Sequence, residues 1–329
     1  MLFFVLGAPG RFSAWCEALI AEMAGGQDNP VPIVRADTLA EVALGALRRQ
    51  STRFVVSAPQ PTGALRNALV AAGRHVVVAL DEPRAALLQL VLRQGISIPE
   101  AVQRVASGCS AFGDAFEMPG ALLLNSTEDL PGQESAAALI AEHLRLSLDA
   151  GLCTRLHTAG FRESAGVSSE EATAWWSTLD RQDQETIVGA LSRYFEPHGD
   201  GNVPITWTHD LFFHGENPAE RLSGPVDITG RPHCLLQGPF IHLPPGAWNL
   251  SLSLIFSHSA ADREYSVEIA TDHPLASGNL RPNGFGDAAI DLAFVLPEET
   301  HDPVAIRINS LRAVFDGTLT ITGATMARA

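Results

Sequence analysis

The pattern of apolar residues changes near residue 200, and this change constrains the fold more than any other feature of the sequence. Up to residue 195, short runs of consecutive apolar residues alternate with longer stretches of helical periodicity. Such a pattern is typical of parallel strands that are covered by helices on both faces. After residue 203, frequent turn signals and short alternating runs replace the helical stretches, which is typical of antiparallel sheets. The pattern predicts two domains, an α/β domain over residues 1–200 and an all-β domain over residues 203–329.

The predicted elements follow from the same periodicities. In the first domain, apolar runs predict the strands of a three-layer parallel sheet, at residues 2–6, 32–35, 53–57, 75–80 and 121–125. Helical periodicity predicts helices at residues 15–23, 39–49, 63–72, 84–93, 98–107, 135–144, 169–177 and 181–195. In the second domain, alternating runs predict a jelly-roll-like β-sandwich with strands at residues 234–236, 240–243, 248–256, 266–270, 289–295, 304–308 and 317–322.

Charge excludes several classes of function. The 22 basic residues are all arginine, so the chain has no lysine for the phosphate-binding motif of ordinary nucleotide triphosphatases or for Schiff-base chemistry. The net charge is −15, and no segment is basic. Binding of nucleic acid by neutralising its phosphates is therefore not expected.

The cellular compartment is predicted from apolar runs and cysteines. No apolar run approaches the ~20 residues of a membrane-spanning helix, and the first residues resemble a strand rather than a signal peptide. The four cysteines lie far apart, without the spacing of a disulfide framework or a metal site. We expect a cytoplasmic protein with reduced thiols and no transmembrane segment.

The first strand leads directly into a glycine- and proline-containing turn and then into a helix. In α/β proteins this arrangement directs backbone N–H groups and a helix N-terminus at an anion. The sequence of the turn, residues 7–15, is GAPGRFSAW. The candidate anion-binding residues in it are Gly7, Pro9, Gly10, Arg11 and Ser13.

Three stretches occur in an order and at a spacing that point to one family. They are residues 7–15 (GAPGRFSAW), residues 76–84 (VVVALDEPR) and residues 120–130 (GALLLNSTEDL). Together they resemble the phosphosulfate loop, the 3′-phosphate strand and the following strand-turn-helix of the sulfotransferase family. The resemblance implies a P-loop-type fold, 3′-phosphoadenosine 5′-phosphosulfate or a related nucleotide as donor, and Arg84 as a further phosphate-facing residue.

The departures from that family fall on its donor-binding positions. In the first stretch Gly10 lies where the family has an arginine, and Phe12 lies where it has a glycine. In the second stretch Asp81 replaces the arginine that holds the 3′-phosphate, so attraction for a dianion becomes repulsion. The resemblance therefore implies a degenerate donor site. Glu17, one turn into the first helix, is a weak candidate for the missing catalytic base, and a solvated helical carboxylate is the alternative.

A different resemblance concerns the second domain. Residues 238–250 (GPFIHLPPGAWNL) are similar to a segment of bacterial β-sandwich modules that are attached to glycosyltransferases and resemble carbohydrate-binding modules. Aromatic rings that stack on sugars are expected in such modules, and the candidates are Trp207, Trp248 and Phe285. For Trp248, which begins an alternating strand, a position in the core is the alternative. His209 and His214 are weak candidates for metal ligands, and no metal is expected.

Two hypotheses for function remain open. In the first, the chain is a sulfotransferase-like protein without the usual donor site, and it serves bacterial surface-polysaccharide synthesis or modification as a glycan-binding or scaffolding component beside a glycan or glycosyltransferase-type partner. In the second, it is an active transferase that uses Arg11, Ser13 and Arg84 for an unusual phosphate-containing donor and a carbohydrate acceptor.

Overall fold

The computed structural model divides the chain into two compact units. The described residues are 1–8, 10–26, 29–49, 52–72, 75–81, 83–113, 120–125, 133–149, 151–152, 154, 169–195, 203–261, 263–297 and 302–329. The first unit comprises Met1–Ile96 and Gly108–Thr178, and the second comprises Ser97–Ser107 and Leu179–Ala329. Pro9 of the predicted anion loop lies outside the described residues.

A parallel sheet forms the centre of the first unit. Its strands are β1 (Leu2–Leu6), β2 (Ile33–Arg35), β3 (Phe54–Ala58), β4 (Val76–Leu80) and β5 (Leu122–Asn125). They lie in the order β2-β3-β1-β4-β5, and every pairing between them is parallel. The three central strands are almost completely buried, because a parallel strand covered on both faces has no solvent-facing side.

The described residues form helices between the strands and after them. They are α1 (Arg11–Gly25), α2 (Leu39–Arg49), α3 (Gly63–Ala72), α4 (Pro83–Leu88, continued by a π-helical turn), α5 (Ile98–Gly113), α6 (Gln133–Leu144), α7 (Ser169–Trp176) and α8 (Arg181–Phe195). Side chains of α1 and α6 share one core with Phe3, Val5 and Val55 of the sheet. None of the described helices is both long and apolar enough to cross a membrane.

Two antiparallel sheets form most of the second unit. One contains β6 (Ile205–Trp207), β8 (Val226–Asp227), β10 (Gly246–Phe256), β13 (Gly286–Leu296) and β15 (Thr318–Arg328). The other contains β7 (Phe213–His214), β9 (Cys234–Ile241), β11 (Tyr265–Ala270), β12 (Pro274–Leu280) and β14 (Val304–Ser310). Their orders are β13-β10-β15-β6, with β8 paired to β15, and β12-β11-β14-β9-β7.

Alternation along β10 shows how the sheets form a core. Successive residues of this strand are alternately exposed and buried from Ala247 to Phe256, because side chains of a strand point to opposite faces. The buried set begins at Trp248 and ends at Phe256, whose ring lies 4.7 Å from that of Tyr265 in the other sheet. The predicted combination of a parallel α/β sheet and antiparallel sheets is confirmed, whereas the P-loop and sulfotransferase type of the first unit stays a prediction.

Several strands differ from the prediction. The two strands predicted around residues 234–243 are one continuous strand, β9, which runs through Gly238 and Pro239 and pairs with β14 along its length. Glycine and proline normally mark a turn, so the sequence suggested a break there. The prediction also lacked β6, β7, β8 and β12, because three of them have only two or three residues and β12 begins with a proline.

The division between the units also differs from the boundary predicted near residue 200. Helix α8 and the first part of α5 belong to the unit that contains the sandwich. The Thr186 hydroxyl of α8 donates hydrogen bonds to the carboxylate of Asp210 at 2.9 and 3.1 Å. From α5, the Gln103 amide bonds the carbonyl of Pro239 and accepts from Arg221. Such polar side-chain contacts between distant residues leave no periodic signal in the sequence.

Candidate functional site

The N-terminus of α1 has the geometry of an anion site. Gly10 precedes the helix in an extended conformation and offers no side-chain cap. The buried Ser13 hydroxyl accepts a hydrogen bond from the Gly10 N–H at 3.1 Å and donates one to the Ala8 carbonyl at 2.8 Å. This arrangement holds the turn in place and leaves the N–H groups of Phe12 and Ser13 at the open end of the helix.

A side chain of the protein itself fills this anion site. The carboxylate of Asp81, directly after β4, accepts hydrogen bonds from the N–H groups of Phe12 at 3.1 Å and Ser13 at 3.3 Å. A Cβ atom at Gly10 would lie 2.0 Å from an oxygen of the same carboxylate. Gly10 is therefore needed for the close approach of Asp81. Helix α1 has no acidic residue in its own first turn, so the negative charge that compensates its dipole comes from Asp81, after β4.

The other loop residues have structural roles that the sequence did not show. A Cβ at Gly7 would lie 2.4 Å from the Ala79 carbonyl oxygen, so glycine allows the close approach of β4. The ring of Phe12 is buried and stacks on Trp15 with a centroid separation of 5.9 Å. It lies in the core, so the Phe12 ring does not occupy the space in front of the turn.

The two candidate arginines lie in different surroundings. The Nε and Nη2 atoms of Arg11 are buried and have no hydrogen-bond partner among the described residues. The guanidinium carbon of Arg84 lies 4.9 Å from the centre of the Trp176 ring on α7, a cation–π distance. The contact with Trp176 gives Arg84 a role in holding α7, and its predicted phosphate-facing role stays a prediction.

Glu17 lies over the carboxyl end of the sheet. Burial raises the pKa of its carboxyl group, while a hydrogen bond from Ser57 and the charge of Arg35 act in the opposite direction. Ser57 is paired with Arg35 on one side and with Val5 on the other, so these residues form one row across three strands. The raised pKa and the position are compatible with proton transfer, and this role of Glu17 stays a prediction.

Two of the three aromatic candidates of the sandwich are core residues. Trp207 and Trp248 have no solvent-exposed surface, so neither ring can stack on a sugar, and that prediction is wrong for both. The Trp248 indole N–H donates to the Pro244 carbonyl at 3.0 Å, and the guanidinium carbons of Arg193 and Arg328 lie 5.1 and 4.4 Å from its ring centre. An amphipathic indole with its N–H satisfied is typical of a core position.

Phe285 has the exposure that a sugar-stacking ring requires. Its side chain is 75% exposed, and that of Phe315, which the sequence analysis did not single out, is 85% exposed. The signal that was missed is the position of Phe315 directly before Asp316 and Gly317, a turn signal. No other aromatic side chain of the sandwich is as exposed among the residues described there.

Both phenyl rings lie at one end of the sandwich. Phe285 precedes the first residue of β13, and that residue is paired with Phe256 at the end of β10. Phe315 shortly precedes β15, whose Leu319 is paired with the same Phe256. Because neighbouring strands lie about 5 Å apart, the ends of β13 and β15 on either side of β10 lie about 10 Å apart.

A short 3₁₀ turn, His258–Ala260, contacts both the loop that contains Phe285 and the loop that contains Phe315 and Asp316. The His258 ring contacts that of Phe285 edge-on at 5.9 Å, and the Ser259 hydroxyl donates to the Asp316 carboxylate at 2.9 Å. We call this group, Phe285, His258, Ser259, Phe315 and Asp316, the tip surface. It combines exposed aromatic faces with hydrogen-bond donors and acceptors on short side chains.

Among the residues that the structure describes, the weak metal candidates are not brought together with further ligands. His209 lies in a 3₁₀ turn, 3.5 Å from the Gln182 amide, and His214 lies in β7. Within the described part of the chain, no group of three or more histidine, cysteine, aspartate or glutamate side chains is arranged to hold a metal ion.

Comparison with known proteins gives matches to solved structures alone. No protein-family model and no curated protein matches the sequence. The CBM36-1 domain of a multidomain xylanase from the hindgut metagenome of Trinervitermes trinervoides matches 39% of this chain over 98% of its own, with 11% identity and a TM-score of 0.28. TmCBM61, solved with β-1,4-galactotriose, matches 43% of this chain over 96% of its own, with 8% identity and a TM-score of 0.26.

A third similar structure belongs to the same broad class. The carbohydrate-binding module CBM6cm-2 of lichenase 5A from Cellvibrio mixtus, solved with cellotriose, matches 36% of this chain over 96% of its own, with 9% identity and a TM-score of 0.24. At these identities and TM-scores the matches assign no ligand to this chain. None of the comparisons supports a sulfotransferase activity.

Proposed function

We propose that the protein binds a neutral glycan at the tip surface of its sandwich. The observation that carries the proposal is the pair of phenyl rings, 75% and 85% exposed, at the same end of the same sheet. A large aromatic side chain gains free energy when its face leaves water. Two exposed rings at one end of the sheet therefore offer apolar surface to a flat, apolar-faced ligand, and a sugar ring presents such a face.

Polar groups beside the rings support a sugar rather than a purely apolar ligand. Ser259 and Asp316 are hydrogen-bonded to each other at the surface, and His258 lies against Phe285. Short side chains with hydroxyl, carboxylate and imidazole groups can exchange hydrogen bonds with sugar hydroxyls. The separation of about 10 Å between the strand ends that carry the rings suits a ligand of more than one sugar unit.

Charge supports a neutral rather than an acidic glycan. Residues 203–329 contain 7 arginines and 14 aspartates and glutamates, which gives a net charge of −7. A surface of the same sign as the ligand slows association and weakens binding, most strongly at low ionic strength.

The first unit supports a binding or scaffolding role rather than transfer from a phosphosulfate donor. The N–H groups that would hold a phosphate already bond the Asp81 carboxylate, and that negative charge opposes a second anion. We propose that the sulfotransferase-like donor site is lost. The alternative, an active transferase, is favoured by the raised pKa of the Glu17 carboxyl group.

Calorimetry separates the two alternatives. The full chain is titrated with 3′-phosphoadenosine 5′-phosphate, and we expect no heat of binding up to millimolar ligand. Micromolar binding would favour the transferase.

A glycan array tests the proposed function itself. The full chain is expected to bind neutral oligosaccharides and to leave acidic ones unbound at low salt. Phe285→Ala should lose about 2 kcal/mol of binding free energy, the loss typical of a central aromatic contact. The matched control is Val295→Ala, which removes an exposed apolar side chain at the opposite end of β13 and should leave binding unchanged. Absence of any glycan signal would refute the proposal.

A further inference from the structure

Helix α2 exposes an apolar face to solvent, while its opposite face packs on the rest of the first unit. On the inner side Val42 is buried, and a Cβ at Gly45 would lie 2.4 Å from a methyl group of Val34. On the outer side Leu44 is 44% and Leu47 is 74% exposed. A surface helix normally carries polar residues on its outer face, whereas this helix carries exposed leucines there.

The outer apolar residues form one continuous stripe. Ala40, Ala43, Leu44 and Leu47 are all outside the buried set of the helix, and their spacing of three and four residues places them on one face. We call them the α2 stripe. Its N-terminal half carries the small side chains and its C-terminal half the large ones, so in an antiparallel pair the large side chains of one helix face the small ones of the other.

Charged residues flank the stripe on one side. Glu41 and Arg48 are seven residues apart, about two helical turns, so they lie on the same flank. Glu41 accepts hydrogen bonds from the N–H groups of Asp37 at 2.8 Å and Thr38 at 3.1 Å. These bonds lower the pKa of the Glu41 carboxyl group, so the carboxylate is ionised and held in place near neutral pH.

We propose that the α2 stripe binds the α2 stripe of a second copy of this chain, in an antiparallel pair with a two-fold axis between residues 44 and 45. Such an axis places Leu47 of the partner subunit against the gap between Ala40 and Ala43. It also places Arg48 of the partner subunit at the height of Glu41 and on the same side of the pair, because a two-fold axis perpendicular to the helices preserves the side. The arrangement occurs twice by symmetry.

Self-complementarity argues for a second copy rather than another partner. With a rise of 1.5 Å per residue, Glu41 and Arg48 lie on opposite sides of the axis, each about 5 Å from it, so the Glu41 position of one copy and the Arg48 position of the other lie at the same height. The same axis that pairs these charges also fits leucine against alanine. A single position of the axis satisfies both the apolar and the charged residues, and an unrelated partner would have no reason to match this symmetry.

Sedimentation equilibrium of the full chain tests this proposal. We expect the wild type to be in monomer–dimer equilibrium at micromolar concentration. Leu47→Glu should raise the dimer dissociation constant at least ~100-fold, because a charge enters the apolar contact twice. The matched control is Leu139→Glu, a leucine of α6 that is 44% exposed, which should leave the dissociation constant unchanged.

A second variant keeps the test independent of folding defects. Arg48→Glu changes an exposed side chain and places two carboxylates opposite each other, so it should weaken the dimer about 10-fold at low salt and less at high salt. Three results would each overturn the proposal. The wild type could stay monomeric at 100 µM, or the dimer could be unaffected by Leu47→Glu or Arg48→Glu. The third is a dissociation constant that Leu139→Glu raises as much as Leu47→Glu does.

Discussion

The α1 N-terminus and the tip surface differ in how completely the protein satisfies its own groups. At the α1 N-terminus, the loop that looks most like a ligand site has its N–H groups bonded to Asp81 and its phenyl ring in the core. At the tip surface, two phenyl rings remain exposed to water, and the polar side chains of His258, Ser259 and Asp316 lie in the same loops. A motif therefore indicates a binding site only when its groups stay accessible to a ligand, and on this criterion the exposed rings of the tip surface are the better candidate.

The largest expected effect separates core aromatic residues from tip aromatic residues. Trp248→Ala should lower the free energy of unfolding by about 3–5 kcal/mol, because it leaves a cavity in the sandwich core. Phe315→Ala removes an 85% exposed ring and should change stability by less than about 0.5 kcal/mol. Urea unfolding of both variants measures the difference. Loss of glycan binding in Trp248→Ala at unchanged stability would contradict the assignment of Trp248 to the core.

A smaller effect is expected at the α1 N-terminus. Asp81→Ala removes the carboxylate that bonds two helix N–H groups, so it should destabilise the protein by about 1 kcal/mol. The freed N–H groups should then donate hydrogen bonds to a small anion, and millimolar sulfate should raise the Tm of this variant.

Matched proteins keep the sulfate result interpretable. Sulfate stabilises folded proteins in general, so the rise in Tm must exceed that of the wild type and of Asp272→Ala, which removes an exposed carboxylate of the sandwich. If the Arg11→Ala change in the Asp81→Ala background leaves the sulfate effect intact, Arg11 takes no part in the site. An equal sulfate effect in wild type and Asp81→Ala would mean that Asp81 does not fill the site.

The smallest expected effect concerns Glu17 and pH. Burial raises the pKa of its carboxyl group, so the protonated form is favoured in the folded state. The resulting stability is fully present below the ordinary glutamate pKa, and it is lost as pH rises through the raised pKa. Glu17→Gln cannot ionise, so its free energy of unfolding should fall less than that of the wild type between pH 4 and pH 8.

A control variant isolates this pH effect. Glu134→Gln makes the same substitution at an exposed glutamate in the first turn of α6 and serves as the substitution control. Chemical unfolding across the pH range measures all three proteins. Parallel profiles for the wild type and Glu17→Gln would show that burial does not perturb Glu17.

The fold was largely predictable because it depends on local patterns. The apolar runs at residues 2–6 and 76–80 are strands β1 and β4 in the structure, and alternation identified β10. Strand β9 was divided in the prediction because a Gly-Pro pair looks the same in a turn and in an irregular strand. The contacts that assign α8 to the sandwich unit join residues far apart in the chain, so no local pattern contains them.

The candidate site was less predictable because it depends on burial. From the sequence, Trp248 and Phe285 are both aromatic residues beside turn signals, and only the packing distinguishes a core ring from an exposed one. The replacement of an arginine by Asp81 indicated repulsion of a dianion, and this stays a prediction. That the same carboxylate caps α1 depends on the approach of β4 to Gly10, which requires the assembled sheet.

The double variant Phe285→Ala/Phe315→Ala tests the central claim most directly. Its binding to an array of neutral oligosaccharides is compared with that of the wild type and of Val295→Ala at equal protein concentration, after thermal unfolding has shown equal Tm values. We expect the double variant to lose more than ~100-fold in affinity, since two contacts of about 2 kcal/mol each are removed, while the control binds like the wild type. Undiminished binding by the double variant would contradict the claim that the tip surface is the glycan site.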